Sequence, residues 1–529
     1  MIEAVQPDNR NMSLRAAFSD PVRYGSLAAG ALPVLAFPPL DLEALAWVAL
    51  VPGLLLMQRA PHAREAAVRG WWFGTGFVLA AMYWLVPTVG PGLLLIAALF
   101  GLLQGGVGLA VWTLLRAPLT AGRAAAALLV VPSAWVVSEF ARSWQALGGP
   151  WALLGATQWR HPTVLALASL GGVWLVSAAV VTVNTGVLII LLTDRLPIRA
   201  TGAAATALVL VAGPLAFALR PGPVPVRTET VALVQPGVLP DGATRLDASA
   251  RITADLPGPR PDLIVWGESS VSTDLTRDTV TLARLRALSA SADAQLLVNE
   301  DARKADGTIS KDAVLIGPDG IRARYAKMRL VPFGEYIPLR PLLGWIAGIS
   351  RAAAENRTPG SSFHLFEPTD LSGRQLPLGV LICFESAFPD MARTAADQGA
   401  QLIVYQSATS SFQDTSAPDQ HASLGALRAA ETGRPVVQAA LTGVSVAFDA
   451  QGRRLARYGT GRTGALTVRL ALPDAHSRTW YDRVGDVVPW TAVLVSAGAT
   501  ALALRSGSRR RRPPSTPDRA QHHPAAPVP

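Results

Sequence analysis

Apolar residues are gathered into two parts of the chain. Between residues 24 and 220, long apolar runs follow one another with short polar connectors between them, and the charge-free stretch Val487–Leu504 forms one more. A helix needs roughly 20 apolar residues to cross about 30 Å of hydrocarbon. On that measure the pattern predicts eight spans, at about 24–40, 43–58, 71–87, 92–115, 125–141, 163–192, 202–219 and 487–504. The first two are short and are separated by Pro38 and Pro39, which predicts a tight helical hairpin.

Residues 221–485 read differently. Short β-rich runs occur at Thr230–Val234, Leu263–Trp266, Gln295–Val298, Ala313–Ile316, Leu378–Ile382, Leu402–Tyr405, Val436–Ala439 and Ser445–Phe448. Helical stretches rich in Ala, Leu and Arg lie between several of them, at Thr279–Ser291, Met391–Gln398 and His421–Thr432. This alternation predicts a layered α/β domain. The expected organisation is therefore an N-terminal segment (1–23), a membrane domain of about seven spans (24–220), an α/β domain (221–485), a last span (486–505) and a basic, Pro-rich tail (506–529) expected to be disordered.

Composition supports a chain lying partly in lipid: half its residues are apolar and only 16% are charged, against about a quarter in soluble domains. The net charge of +10 is explained by placement. Arg59, Arg64 and Arg69, then Arg116 and Arg123, then Arg195 and Arg199 occupy alternate connectors. The N-terminus (Arg10, Arg15, Arg23) and the Arg505–Arg512 tail fall on the same side, which predicts cytoplasmic termini and an α/β domain outside the cytoplasm. The first apolar run then reads as a retained span and not a cleaved leader. Ten of the fourteen tryptophans lie between Trp47 and Trp174, several near span ends where indoles favour the interface. No basic face with interleaved aromatics stands out, which argues against nucleic-acid binding. Glu139 and Arg142, three residues apart on one span, share a helix face, and Arg142 at the span end is placed to snorkel.

A single cysteine, Cys383, excludes an internal disulfide and a multi-cysteine metal site, and neither metal nor cofactor is expected. Cys383 ends the apolar strand Gly379–Ile382, Glu268 follows the strand Asp262–Trp266, and Lys327 lies between them in Tyr325–Pro338. Polar residues at strand ends of α/β sheets commonly converge on a ligand crevice. The three types also suit one reaction. A thiol is a good nucleophile and a good leaving group, a carboxylate takes its proton, and an ammonium stabilises an oxyanion. Lys304, Lys311 and Lys327 are the only lysines among 47 basic residues, so a lysine ahead of Val331-Pro-Phe-Gly334 is notable. Taken alone, each residue has a plainer role: a buried small hydrophobe for the Cys, a solvated turn residue for the Glu.

Glu268, Lys327 and Cys383, in that order and context, resemble the Glu-Lys-Cys triad of the nitrilase superfamily. Leu330-Val-Pro-Phe-Gly-Glu-Tyr-Ile-Pro338 with Cys383-Phe-Glu385 is similar to its membrane branch, the apolipoprotein N-acyltransferases. Ser138-Glu-Phe-Ala-Arg142, Gly149-Pro-Trp151, Arg428–Arg434 and Thr479–Gly485 extend the resemblance to about residues 25–500. It implies an eight-span membrane domain with an extracytoplasmic nitrilase-like αββα domain in the bacterial cell membrane. The implied reaction has two steps: Cys383 takes an acyl chain from a phospholipid as a thioester, then passes it to the amine of a diacylglyceryl-cysteine on an apolipoprotein. Glu268 would be the base, Lys327 the oxyanion partner, and Glu335 and Glu385 supporting carboxylates. Tyr336, Trp345, Phe384, Ser411 and Phe412 are implied to line the substrate site, and Leu342–Ile349 to form either a lid at the bilayer surface or a core helix.

The chain also departs from the pattern. Ser407-Ala-Thr-Ser-Ser-Phe412 replaces a common Asn-Asp-Ala-Trp-Phe-Gly, so Ser411 stands in place of an indole; Val238–Ala248 lacks another tryptophan; and Phe384 replaces a tyrosine. A membrane-anchored carbon–nitrogen hydrolase on the same triad is the rival expectation, and a transporter or scaffold is a third. The scarcity of ionisable residues in the spans argues against the third.

Overall fold

The computed structural model describes residues 20–219, 222–304, 307–344 and 357–510. Its N-terminal half is helical: α1 (Pro21–Ala31), α2 (Val51–Gln58), α3 (Ala63–Ala81), α4 (Gly92–Leu115), α5 (Ala121–Arg142), α6 (Ala168–Leu192) and α7 (Leu196–Leu219). Among the described residues α4 to α7 and the apolar part of a C-terminal helix, Val487–Arg505, are long and apolar enough to cross a membrane. A sixth candidate is α3 with the bent continuation Tyr83–Val89. The Pro38-Pro39 break does separate two short helical segments, since α1 runs on as a 3₁₀ turn to Ala36 and Glu43–Trp47 leads into α2. Glycines let these helices approach closely: a Cβ at Gly30 or Gly76 would overlap the carbonyls of Phe73 and Leu27, so α1 and α3 pack backbone to backbone.

The second half is a two-sheet sandwich with helices outside it. One sheet has the order β11-β1-β2-β3-β4-β5 and the other β10-β9-β8-β7-β6. The strands are β1 (Pro225–Gln235), β2 (Leu263–Trp266), β3 (Gln295–Arg303), β4 (Ile309–Gly317), β5 (Gly320–Ala326), β6 (Leu378–Ile382), β7 (Leu402–Ser407), β8 (Val436–Ala440), β9 (Ser445–Phe448), β10 (Arg454–Tyr458) and β11 (Gly464–Pro473). The first sheet has a parallel centre, β1-β2-β3, with antiparallel strands at both edges; in the second the parallel strands β6-β7-β8 run to one edge and antiparallel β9 and β10 form the other.

Side-chain alternation explains the layering. Val231, Leu233, Leu263, Val265, Leu297, Ala313 and Leu315 share a core with the second sheet. The intervening Ala232, Val234, Ile264, Trp266, Leu296, Val298, Val314 and Ile316 pack outward, with Ala250 of α8 (Gly242–Ala254) and Leu285 of α9 (Thr279–Ala292). Helices α10 (Pro389–Asp397) and α11 (Ala417–Thr432) cover the second sheet.

Helix α11 also docks the sandwich on the membrane helices. In α6 the backbone breaks at Gly171 and Gly172, where Gly172 has φ 69°, and this frees the amide of Val173 to donate to Glu431 at 2.8 Å. Arg428 pairs with the same Glu431 at 2.9 Å and donates to the carbonyl of Ala387. Arg434 holds the carbonyls of Asp474 and Ala475, ahead of Trp480–Val484 and the final helix α12 (Val487–Arg510).

Glu139 and Arg142 are buried at the end of α5 and do not snorkel. Their side chains lie 4.0 Å apart, but each mainly serves the chain beyond the helix. Glu139 accepts from the amide of Leu154 at 2.7 Å, and Arg142 donates to the carbonyls of Trp151 and Ala152. The end of a span thus fixes the loop that bears Trp151.

Candidate active site

Parallel strands point their C-terminal ends the same way, and the candidate chemistry gathers at those ends. After β2 the chain passes through Gly267, where a Cβ would overlap the amide of Leu441. This close approach brings Glu268, 3% exposed, beneath the second sheet. After β6, Cys383 takes φ 49°, a left-handed conformation rare for a residue with a side chain, and turns the strand into the 3₁₀ segment Cys383–Ala387. Lys327 follows β5 and is 1% exposed.

The three side chains meet. Lys327 Nζ lies 3.2 Å from Glu268 Oε1 and 2.9 Å from Glu335 Oε1, while Glu268 Oε2 accepts from the amide of Ala408 at 3.0 Å. The thiol of Cys383 lies close enough to the Glu268 carboxylate for each to shift the other's protonation, and Ser407 Oγ is 3.9 Å from the sulfur. Burial and the Glu268 charge push the Cys383 thiol up to about 12, although the residue keeps partial exposure. Burial also pushes Glu268 upward, but Lys311 and Lys327 outweigh it and hold the carboxylate ionised. Burial presses Lys327 downward, and Glu268 and Glu335 more than reverse that. The resting site is therefore a neutral thiol between a fixed anion and a fixed cation. A nucleophile of that kind requires a base during attack.

Glu335 and Glu385 do different work. Glu335 touches Lys327 directly and accepts the amide of Val331 at 2.9 Å. Glu385, fully buried, accepts from Tyr325 Oη, Met328 N, Arg329 N and Ile382 N at 2.7–3.0 Å. It ties the segment bearing Lys327 to the strand end bearing Cys383.

The expected substrate-site residues are less uniform. Phe384 is buried edge-on against Phe388, 5.0 Å between centroids. Phe412 is half-buried, edge-on to Trp84 of the membrane half at 5.2 Å. Tyr336 is half-buried in the turn whose Phe333 amide donates to its carbonyl. Ser411 is exposed, in the turn Ser410–Phe412, and makes no wall of its own. Trp345 lies outside the described residues, as does most of Leu342–Ile349.

Two residues join the site that the sequence did not mark for it. His421 on α11 sits behind the nucleophile. Its Nε2 is 3.1 Å from both the Cys383 carbonyl and Ser386 Oγ, and its Nδ1 is 3.4 Å from Ser407 Oγ. Trp151, from the loop held by Glu139 and Arg142, stacks on that ring at 5.9 Å and donates to Gln420. The second is Lys311, whose Nζ shares Glu268 Oε1 with Lys327. The scarcity of lysine was the one signal for it.

Known proteins share this pairing of halves. Residues 29–186 match the family model of the apolipoprotein N-acyltransferase N-terminal domain, and residues 230–478 match that of carbon-nitrogen hydrolase. The apolipoprotein N-acyltransferase of Agrobacterium fabrum is 31% identical, with 84% of this chain and 89% of the relative covered. That of Pseudomonas putida is 30% identical over 81% and 86%, and that of Geobacter metallireducens 28% over 91% and 95%. Among solved structures, an amidase from Nesterenkonia sp. is 22% identical over 48% of this chain and 95% of its own, with a TM-score of 0.34. With both halves matched and relatives at this identity over most of their length, the chain belongs to the apolipoprotein N-acyltransferase family.

Proposed function

We propose that this chain transfers a fatty acyl chain from a membrane phospholipid, through a thioester on Cys383, to the N-terminal amine of a diacylglyceryl-cysteine on an apolipoprotein. The observation that carries the mechanism is one buried carboxylate, Glu268, bonded to the ammonium of Lys327 and close enough to the Cys383 thiol to shift its protonation. As Sγ attacks the ester carbonyl, its proton passes to Glu268 and the oxyanion forms beside Lys327. Collapse breaks the ester C–O bond, and the departing lysophospholipid oxygen takes the proton from Glu268. The amine then attacks the thioester, gives a proton to Glu268, and expels the thiolate, which that proton neutralises.

The membrane reading follows the same proposal. Eight crossings, with the hairpin of α1 and α2 supplying the two short ones, leave both termini in the cytoplasm and residues 221–485 outside it, as the arginine-rich connectors require. The lone thiol should then react with an impermeant maleimide in spheroplasts; labelling only after lysis would reverse the orientation.

The deciding experiment gives the purified chain phospholipid without acceptor. Its intact mass should rise by one acyl chain that neutral hydroxylamine removes, and a diacylated lipopeptide should discharge it as a triacylated product. Acyl transfer by Cys383→Ala would sink the mechanism. Rapid discharge to water alone would favour a hydrolase.

A further inference from the structure

Lys311 and Lys327 are neighbours by ladder geometry. Lys311 lies on β4, opposite Asp301 of β3, and its carbonyl accepts the amide of Lys327 at 2.9 Å. Its side chain is 6% exposed. Its Nζ is 2.7 Å from Ser269 Oγ, 3.2 Å from Glu268 Oε1 and 3.3 Å from Asp301 Oδ1. Two ammoniums therefore hold one oxygen of the base, while the other oxygen takes the Ala408 amide. One cation cannot both stabilise a substrate oxyanion and stay fully engaged with Glu268, and Lys327 is also shared with Glu335.

Resting on the assignment of Glu268 as the base, we propose that Lys311 is a positioning residue for acyl transfer: it anchors Glu268 Oε1 so that Lys327 is released to the oxyanion while the carboxylate stays fixed and ionised beside Cys383. The charged and titratable groups around Glu268 are consistent with this division. Lys311 of β4 and Lys327 face it directly, with Glu335 behind Lys327, Asp301 of β3 behind Lys311, and Arg357 on Asp301 at 2.8 Å. Cys383 and His421 approach from the second sheet side. Both lysines lie 3.2 Å from Glu268 Oε1, and Lys311 is the one with no contact to Glu335 among the described ion pairs.

The test measures single-turnover acylation of Cys383 by intact mass, in the full-length protein with phospholipid vesicles and no amine, from about pH 4 to 9. Removing an opposite charge at this distance raises a carboxyl by about 1–3 units. Glu268 is held down to about 2, so the wild-type rate should be flat on the acid side of this range, and Lys311→Gln should bring an acid limb into it, the rate falling as pH drops towards 4. Asp301→Asn breaks the same buried Lys311–Asp301 pair but leaves the cation on Glu268, so its profile should stay flat there like the wild type's. Identical profiles for the two variants, with no acid limb in either, would overturn the role of Lys311. Lys311→Met carries the same test where the Gln variant does not accumulate. Absence of any acyl-enzyme in the wild type would instead sink the proposed function itself.

Discussion

Replacing Glu385 by glutamine changes one oxygen into an NH₂ group at a point where only acceptors are useful. Four donors converge on the buried carboxylate: Tyr325 Oη, Met328 N and Arg329 N on Oε1, and Ile382 N on Oε2. The amide oxygen can keep the three at the Oε1 position, but the nitrogen then faces the N–H of Ile382. The Ile382 N–H loses its acceptor and the new buried NH₂ gains none, at about 1–3 kcal/mol each, so Glu385→Gln should cost about 2–6 kcal/mol. In a domain of roughly 250 residues each kcal/mol lowers the melting temperature by about 2–4 °C. Catalysis should suffer further, because the lost bond is the one at the Cys383 end of the tie. Thermal unfolding in detergent and single-turnover acylation of Cys383 would measure the two effects. A variant that melts within a degree or two of wild type and acylates at the wild-type rate would refute the view that Glu385 sets the spacing of Lys327 and Cys383.

Lys327→Arg should reach the membrane yet lose about a hundredfold or more in acylation rate, since a guanidinium is wider and differently directed than the ammonium it replaces; near wild-type turnover would remove Lys327 from the mechanism. His421, held neutral by burial with its protonation moved down to about 4, should make stability pH-dependent. Below its ordinary value of about 6.5 the unfolded chain binds a proton that the folded one refuses, so about 3 kcal/mol, fully present above that pH, is lost as pH falls towards 4. Glu229 and Asp312, buried carboxyls pushed up to about 7 and about 6, act oppositely in that window. The measurement is therefore the difference in melting temperature between wild type and His421→Gln, and a difference independent of pH would be the contrary result. Gly149→Ala should slow acylation and lower the melting temperature, because at φ 73° the new Cβ would press on the rings of Phe384 and Phe388; an unchanged rate would free that contact from the site.

Strands buried on both faces were legible as apolar runs: Leu263–Trp266, Leu378–Ile382 and Ser445–Phe448 end at the same residues in sequence and structure. The strands missed, β5, β10 and β11, alternate arginine or threonine with apolar residues at sheet edges, and α8 presents mostly polar residues outward. The three candidate residues were legible because the proposed chemistry restricts residue type, and Glu268 and Cys383 follow readable strands, whereas Lys327 follows the missed β5. His421 was not, since a histidine within an alanine-rich helix looks like any other; only the turn at Cys383, folded against α11, gives it a task. Ser411 was read into the site by its place in a motif, but the 3₁₀ turn at Ser410–Phe412 leaves it in solvent and turns Phe412 towards Trp84.

The tie between the halves explains why an α/β domain with its own triad is held to a membrane block by more than a tether. Glu139 and Arg142 use the end of α5 to fix residues 151–154, and that loop sends Trp151 onto His421. His421 in turn braces the carbonyl of Cys383, the left-handed residue that opens the 3₁₀ segment. Gly149 meets Phe384 and Phe388 beside the same turn, and Arg329, two residues after Lys327, donates to Gln145 at 2.9 Å. Both Cys383 and the segment after Lys327 are thus referenced to one loop of the helical half. A buried ionisable pair at a span end is expensive to maintain, and here its neighbours are backbone groups of that loop and not a transport path. The placement of the thiol is therefore set by the apolar helical half, which is what the proposed reaction between Cys383 and a bilayer lipid requires.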